Sequence, residues 1–336
     1  LKVTLLGEEI PKATETSPDA YALFLQSRHV TNRYTKEAYA QAEQLLKEAL
    51  EIDPGFAPAW LDLGEVYRVQ EDFGRSVDEA RELAFAAYQN ARRLDPNLAS
   101  TYARLSLLAR SNFDFTGADQ YLQQALKLSE GSGFPFSAAA SLSRTFGRFD
   151  KSIELAQKAV SLDPASSAAH SNLGYSLYYS GNLDGAASSF RKSISLDPNR
   201  FRAHFYLGRV LLAKGALQEG LASMQKVTAD YFRLTGLVMA YQALGDTEKS
   251  DQALMELTEN WSELAAFQIA EAHAFRGEND AALAWLYRAL ESMDAGLAVL
   301  LGNPVFTELT FDVRYQALVE KLGLLQYFQE LRVQSS

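Results

Sequence analysis

Four histidines, His29, His170, His204 and His273, are the first candidates for metal or acid–base chemistry in this chain. Histidines that share a metal on one helix lie three or four residues apart, and no pair here has that spacing. Cysteine is absent, which removes disulfides, thiolate metal sites, iron–sulfur clusters and a Cys nucleophile. Carboxylates do gather, as Glu278 with Asp280 and as Asp246 with Glu248 and Asp251. A general acid and base must converge in a cleft. These carboxylates fall in turn-like stretches and on helix backs, and read as solvated faces and helix N-terminal charges. Gly-x-x-x-x-Gly-Lys-Ser/Thr, Gly-x-Ser-x-Gly and His-Glu-x-x-His are all missing. Gly131-Ser132-Gly133 reads as a linker. The expectation is no catalytic residue, no cofactor and no metal, hence no enzyme in this stretch of chain.

The balance of charge narrows the partners. Against 42 acidic residues stand 32 basic ones, for a net charge of −10 over 336 residues. Such a chain is not a general binder of nucleic acid or anionic membrane. Hydrophobic residues make up 47% and aromatic ones 11%, enough for a real core. No apolar run approaches the roughly 18–20 residues of a membrane span. The opening at Leu1, without Met or a signal pattern, reads as a fragment of a longer polypeptide.

What positions these residues is a repeat. Asp-Pro preceded by Leu or Ile recurs at Pro54, Pro96, Pro164 and Pro198, at intervals of 42, 68 and 34. A unit of 34 residues explains all four, with one insertion of eight. The unit from Ser167 carries Leu173-Gly174, Gly181, Ala186, Phe190 and Pro198; that from Phe201 carries Leu207-Gly208 and Gly215. The unit from Ala57 carries Trp60, Leu63-Gly64 and Tyr67. Units are expected near 17–56, 57–98, 99–132, 133–166, 167–200, 201–230, 231–262 and 263–292. Within each, apolar residues fall at helical period. Gly64, Gly174 and Gly208 sit where two helices approach, and Gly181, Gly215, Gly245 and Gly277 where the first must turn. His170 and His204 share the position of Trp60 and Tyr102, and His273 that of Tyr67 and Tyr241. All three histidines therefore read as interhelix packing.

This pattern resembles the tetratricopeptide repeat, a helix–turn–helix of 34 residues. The resemblance covers roughly 17–292 and implies an all-α, right-handed superhelical solenoid of about eight units, since one unit cannot bury both its faces. Residues 1–16 read as an extension or linker and 293–336 as a C-terminal cap, with a helix from Arg314 to Arg332. In that family the first helices line a concave face that carries the partner. The matching positions here are Tyr175, Tyr178, Tyr179, Arg202, Phe205, Arg209, Phe232, Met239 and Phe267, with Arg144 and Asn172 upstream. The carboxylate clamp of the chaperone-binding subfamily is matched only in part, by Asn172 and Arg202, with Ser137 and Ser141 at other clamp positions. Recognition of a chaperone C-terminus is not implied.

Local charge points the same way. Residues 191–233 hold eight basic and three acidic side chains, whereas 246–294 hold three and eleven. Arg forks read carboxylates bidentately. Arg202 and Arg209 beside Tyr175, Tyr178 and Phe205 are expected to hold an acidic or aromatic segment, from a partner or a second copy. Replacing both arginines by Ala should then weaken binding and spare the fold. In the alternative reading the tyrosines only pack and the arginines snorkel to water.

The opening residues Leu1–Glu9 and Ser17–Tyr21, and the closing stretches Asn303–Phe306, Asp312–Leu318 and Lys321–Gly323, resemble the junctions flanking repeat arrays in multidomain bacterial signalling proteins. There the array follows a nucleotide cyclase, a winged-helix regulator or a kinase. The implied role is a non-catalytic protein–protein interaction scaffold, the regulatory or sensory arm of such a protein. The alternative is a self-association module, forming a homodimer that brings output domains together. The location implied is cytoplasmic, or periplasmic if a membrane span precedes.

Overall fold

The structure, a computed structural model, describes residues 16–129 and 131–334; nearly all of the opening extension lies outside them. All regular structure among the described residues is helical. The chain divides into two compact units, residues up to 110 with 114–138, and 111–113 with 139–336.

In the first unit α1 (Pro18–Thr31) pairs with α2 (Lys36–Ile52), and α3 (Ala57–Val69) with α4 (Val77–Leu94). After them come α5 (Ala99–Ser111) and α6 (Phe115–Lys127), joined by a bond of 2.8 Å from the buried Ser106 hydroxyl to the Ala118 carbonyl. The eight-residue insertion appears as a 3-10 turn, Gln70–Phe73, and as an α4 of 18 residues where α10 of the second unit has 14.

Helix α7 (Phe134–Thr145) starts in the first unit and ends in the second. The second continues with α8 (Phe149–Leu162), α9 (Ser167–Tyr179), α10 (Leu183–Leu196), α11 (Phe201–Ala213) and α12 (Leu217–Met224). Then follow α13 (Asp230–Leu244), α14 (Thr247–Trp261), α15 (Ala266–Phe275) and α16 (Asn279–Glu291). The pairs α9–α10, α11–α12, α13–α14 and α15–α16 stack in chain order, so each buries the face its neighbour leaves open.

The recurring residues explain why the chain turns where it does. Asp53, Asp95, Asp163 and Asp197 each close a helix with ψ between 81° and 95°, as the following proline demands. The carboxylates of Asp53, Asp95 and Asp197 accept the N–H two residues on, at 2.9–3.1 Å. Trp60 Nε1 donates to the Pro54 carbonyl at 3.0 Å. His170 and His204 repeat that bond through Nε2, to Pro164 at 3.0 Å and Pro198 at 2.9 Å. A carbonyl only accepts, so the proton sits on Nε2. These two histidines tie the inter-pair turn to the next helix, a more specific task than the packing expected of them.

Gly181, Gly215, Gly245 and Gly277 turn within pairs at φ between 75° and 82°. Gly174 serves close approach instead: a Cβ there would lie 2.6 Å from Phe190 Cε1.

Beyond α16 the single helix expected from Arg314 to Arg332 is two, α17 (Val313–Lys321) and α18 (Leu325–Gln334). Gly323, at φ 72°, breaks it. Helix α17 lies on the last pair, with the Tyr287 hydroxyl donating to the Arg314 carbonyl at 3.0 Å. Helix α18 turns back onto the end of α7, where Tyr327 stacks on Phe146 with ring centroids 4.3 Å apart. No helix among the described residues is long and apolar enough to cross a membrane.

Gly174→Ala should therefore destabilise the second unit by about 1–3 kcal/mol through overpacking against Phe190. Urea unfolding followed by helical circular dichroism checks it.

Candidate functional site

In the second unit α9, α11, α13 and α15 lie side by side, in contact with one another along the series. Their shared inner face is where the family resemblance places a partner. It is occupied by the chain itself. Residues 293–311 form a strap of two 3-10 turns, Ala295–Val299 and Pro304–Phe311, the second packed on α15. Leu297, Ala298, Leu300, Leu301 and Phe306 are fully buried. Val299 packs on the cluster that holds Tyr178, Tyr179 and Phe190. At Gly302 the φ of 67° and the nearness of the Phe149 ring leave no place for a Cβ.

The strap is fastened by a buried polar knot. Arg209 Nη1 donates to Glu271 Oε1 at 2.7 Å and Nη2 to Asn303 Oδ1 at 3.0 Å. Asn303 Nδ2 donates to the same Glu271 oxygen at 2.9 Å. The side chains of Arg209 and Glu271 are 2% and 3% exposed. Burial alone would lower the Arg209 pKa; the Glu271 carboxylate reverses this and holds the guanidinium charged well above its ordinary range. Rings of Tyr178, Tyr206 and Phe205 lie 5.2–5.6 Å from the guanidinium carbon.

Of the eleven candidate residues, Arg144, Tyr178, Tyr179, Phe205, Arg209, Phe232, Met239 and Phe267 are buried. Asn172 and Tyr175 are half-buried and Arg202 is exposed. The structure thus corrects the expected geometry of Arg209. It does grip a carboxylate, but the carboxylate belongs to its own unit, and Arg209 is not open to a partner. Arg202 stands apart from it, its guanidinium 5.0 Å from the Phe232 ring. Arg144 and Asn172 do come together, with Arg144 Nη1 donating to Asn172 Oδ1 at 3.1 Å. Sequence reasoning missed Glu271 as the Arg209 partner and Asn303 as the clasp. The clustering of acidic residues in 246–294 was the available signal.

The first unit has an open cleft of about 150 Å³, lined by Arg28, Tyr39, Asp62, Glu65 and Arg104 among others. Arg28 forks onto Asp62 at 2.6 and 3.1 Å. Glu65 pairs with Arg68 at 2.6 Å and Arg104 at 2.9 Å. Burial would raise the Glu65 carboxyl, and the two guanidiniums bring it down to about 2.

The acid–base candidates of the second unit are engaged in ion pairs. His273 Nδ1 contacts Glu278 at 2.5 Å, but Arg276 holds the other carboxylate oxygen at 2.7 Å. Asp246 caps α14 and pairs with Lys249, while Asp251 pairs with Arg276 and Asp280 with Arg314. No group of three His, Asp or Glu among the described residues is placed to hold a metal.

Two measurements check the energetics. Arg209→Ala strands the Glu271 charge and should cost about 3–5 kcal/mol, against the sequence-based expectation that the fold is spared. Arg209→Met with Glu271→Met should cost less than either single change, as a double-mutant cycle by urea unfolding will register. A depressed carboxyl stabilises the fold above its unfolded value. The Glu65 contribution, on the order of 2–3 kcal/mol, is therefore lost as pH falls from about 4.5 towards 2. Glu65→Gln should flatten that part of the acid-unfolding curve.

Models of the tetratricopeptide repeat match residues 98–130 and, in two overlapping copies, 138–200 and 171–231. No curated protein sequence is similar enough to count as a relative. Among solved structures, the human IFIT1 dimer with m7Gppp-AAAA is 16% identical at a TM-score of 0.55, over 81% of this chain and 71% of that one. A monomeric IFIT1 N216A mutant gives 15% identity and a TM-score of 0.56, over 84% and 73%. PilF of Pseudomonas aeruginosa is 16% identical over 66% of this chain and 98% of its own, at a TM-score of 0.48. At these identities the likeness to the two IFIT1 structures speaks for the fold alone. Over the residues those models match, 98–130 and 138–231, the chain is built of tetratricopeptide repeats, in agreement with its stacked helix pairs.

Proposed function

We propose that this protein is a non-catalytic interaction scaffold that holds polypeptide segments against the inner face of its helix pairs. One observation carries the reading: the second unit already grips a non-repeat segment, residues 293–311, with apolar burial and the Arg209–Glu271–Asn303 knot. A surface that captures its own strap has the chemistry to capture a similar segment from elsewhere. An acidic segment suits the groups that still reach solvent on that face, Arg202, Asn172 and Tyr175.

The resemblance of Asn303–Phe306 and Asp312–Leu318 to the ends of repeat arrays in bacterial signalling proteins supports a role as a regulatory or sensory arm. That role puts the array in the cytoplasm, or in the periplasm behind a membrane span. A second reading, self-association, is favoured by Phe311, Val313 and Val333, apolar residues of the C-terminal region that are 73%, 76% and 77% exposed.

A peptide-display library panned on the full chain tests the first reading. Peptides should enrich, and lose at least about tenfold in affinity on an Asn172→Ala, Tyr175→Ala, Arg202→Ala triple variant. No enrichment, or binding untouched by the triple change, overturns it. Light scattering of the full chain tests the second: a dimer that dissociates on Phe311→Ser with Val313→Ser supports it, and a monomer rejects it.

A further inference from the structure

The cleft of the first unit is walled by polar groups that the scaffold reading leaves unused. Two ion pairs line it, Arg28 with Asp62 at 2.6 Å and Arg104 with Glu65 at 2.9 Å. Each wall group is held from behind. The Arg28 guanidinium lies 4.6 Å from the Phe24 ring centre, and that of Arg104 4.6 Å from Phe134. Glu65 is also held by Arg68 and accepts from the Tyr88 hydroxyl at 3.3 Å. The Tyr39 ring packs against Tyr34 and Phe73, at 5.7 and 5.5 Å between centroids. Yet Tyr39, only 7% exposed, carries a hydroxyl that no hydrogen bond meets among the described residues. The charges of Glu65, Arg68 and Arg104 all act on it, which puts that end of the ring beside the ion pairs of the cleft. Burial, with Glu65 beside it, pushes its pKa well above the ordinary phenol value. It is therefore an uncharged group that can both donate and accept.

Charge in this cleft is matched within its own walls, Asp62 by Arg28 and Glu65 by Arg68 and Arg104. An ionic guest would have to pull a pair apart or bring an unmatched charge into a largely buried place, and either is costly. A zwitterion would strip water from two charged groups to reach partners already engaged. A hydroxyl needs neither, because it donates and accepts at once without altering the charge. Leu46 and Val66 add an apolar strip for the C–H face of such a guest. The space, about 150 Å³, is that of a cavity able to take one ring of about six atoms. Walls fixed before the guest arrives cost little to order on binding.

We propose that this cleft binds a small uncharged polyol, a free molecule with neighbouring hydroxyls, one of which bonds to the Tyr39 hydroxyl. The site lies wholly within the first unit and stands whether or not the second unit captures a segment.

Saturation-transfer NMR of the full chain with glycerol, xylitol or glucose tests this, with sodium acetate and glycine as charged competitors. At least one polyol should give a saturable signal that neither competitor displaces. Tyr39→Phe removes a hydroxyl that has no partner to lose. It should keep the fold, as circular dichroism will show, and weaken polyol binding by about three- to tenfold. Asn32→Trp, at the exposed rim of the cleft, should abolish the signal. A response to glucose alone identifies a sugar ring as the guest, and any response to glycerol or xylitol shows that an open chain suffices. No saturable signal from any polyol, a signal that survives either substitution at full strength, or displacement by acetate or glycine overturns the inference. If a display-library peptide, and no polyol, loses binding on Asn32→Trp, the cleft is a peptide groove and the polyol site falls.

Discussion

The Arg209 guanidinium, shut away from water in the middle of the second unit, is tolerable only because two groups come to it from far along the chain. Glu271 arrives from 62 residues on and Asn303 from 94. Two charges taken out of water repay their desolvation only when geometry is close and the remaining donors are met. The knot meets those terms in part: Asn303 donates to Glu271 while accepting from Arg209, and Arg209 Nε is left without a hydrogen bond among the described residues. It joins three parts of the fold, α11, α15 and the strap. The apolar residues on either side of Asn303, Leu300, Leu301 and Phe306, are thereby set into the face of the helix pairs.

The helix pairs were legible from the sequence because their determinants are local. An Asp-Pro closing turn needs only the aspartate, the proline and the N–H two residues on. The glycine at Gly174 is explained by one ring, Phe190. The shared position of Trp60, His170 and His204 was equally visible, though not the bond it serves. A ring N–H six residues after a proline reaches back to that carbonyl whichever ring carries it.

The strap was not legible, for a physical reason. Residues 295–311 lack the helical period, so nothing in their spacing says which surface they cover. Family position placed Arg209 on an open inner face; the same position in a chain that folds its tail inward is interior. The five aromatic candidates that are buried, Tyr178, Tyr179, Phe205, Phe232 and Phe267, pack against the strap or neighbouring helices, and an aromatic-rich composition is the same one an interface would have. Arg144 escapes this account, since the strap supplies it with no counter-charge.

Gly302 has a consequence for the order of events during synthesis. Its place against Phe149, with the Arg209–Asn303 contact, makes the strap a partner of segments made long before it. Domains assemble from the N-terminus as they leave the ribosome, and contacts between distant segments are late and slow. The stacked pairs up to α16 therefore emerge with their tyrosine-rich wall wet and unguarded, until the strap clears the exit tunnel. For that interval the nascent chain exposes the surface that the finished protein conceals, and any chaperone or assembly partner working co-translationally meets it in that form.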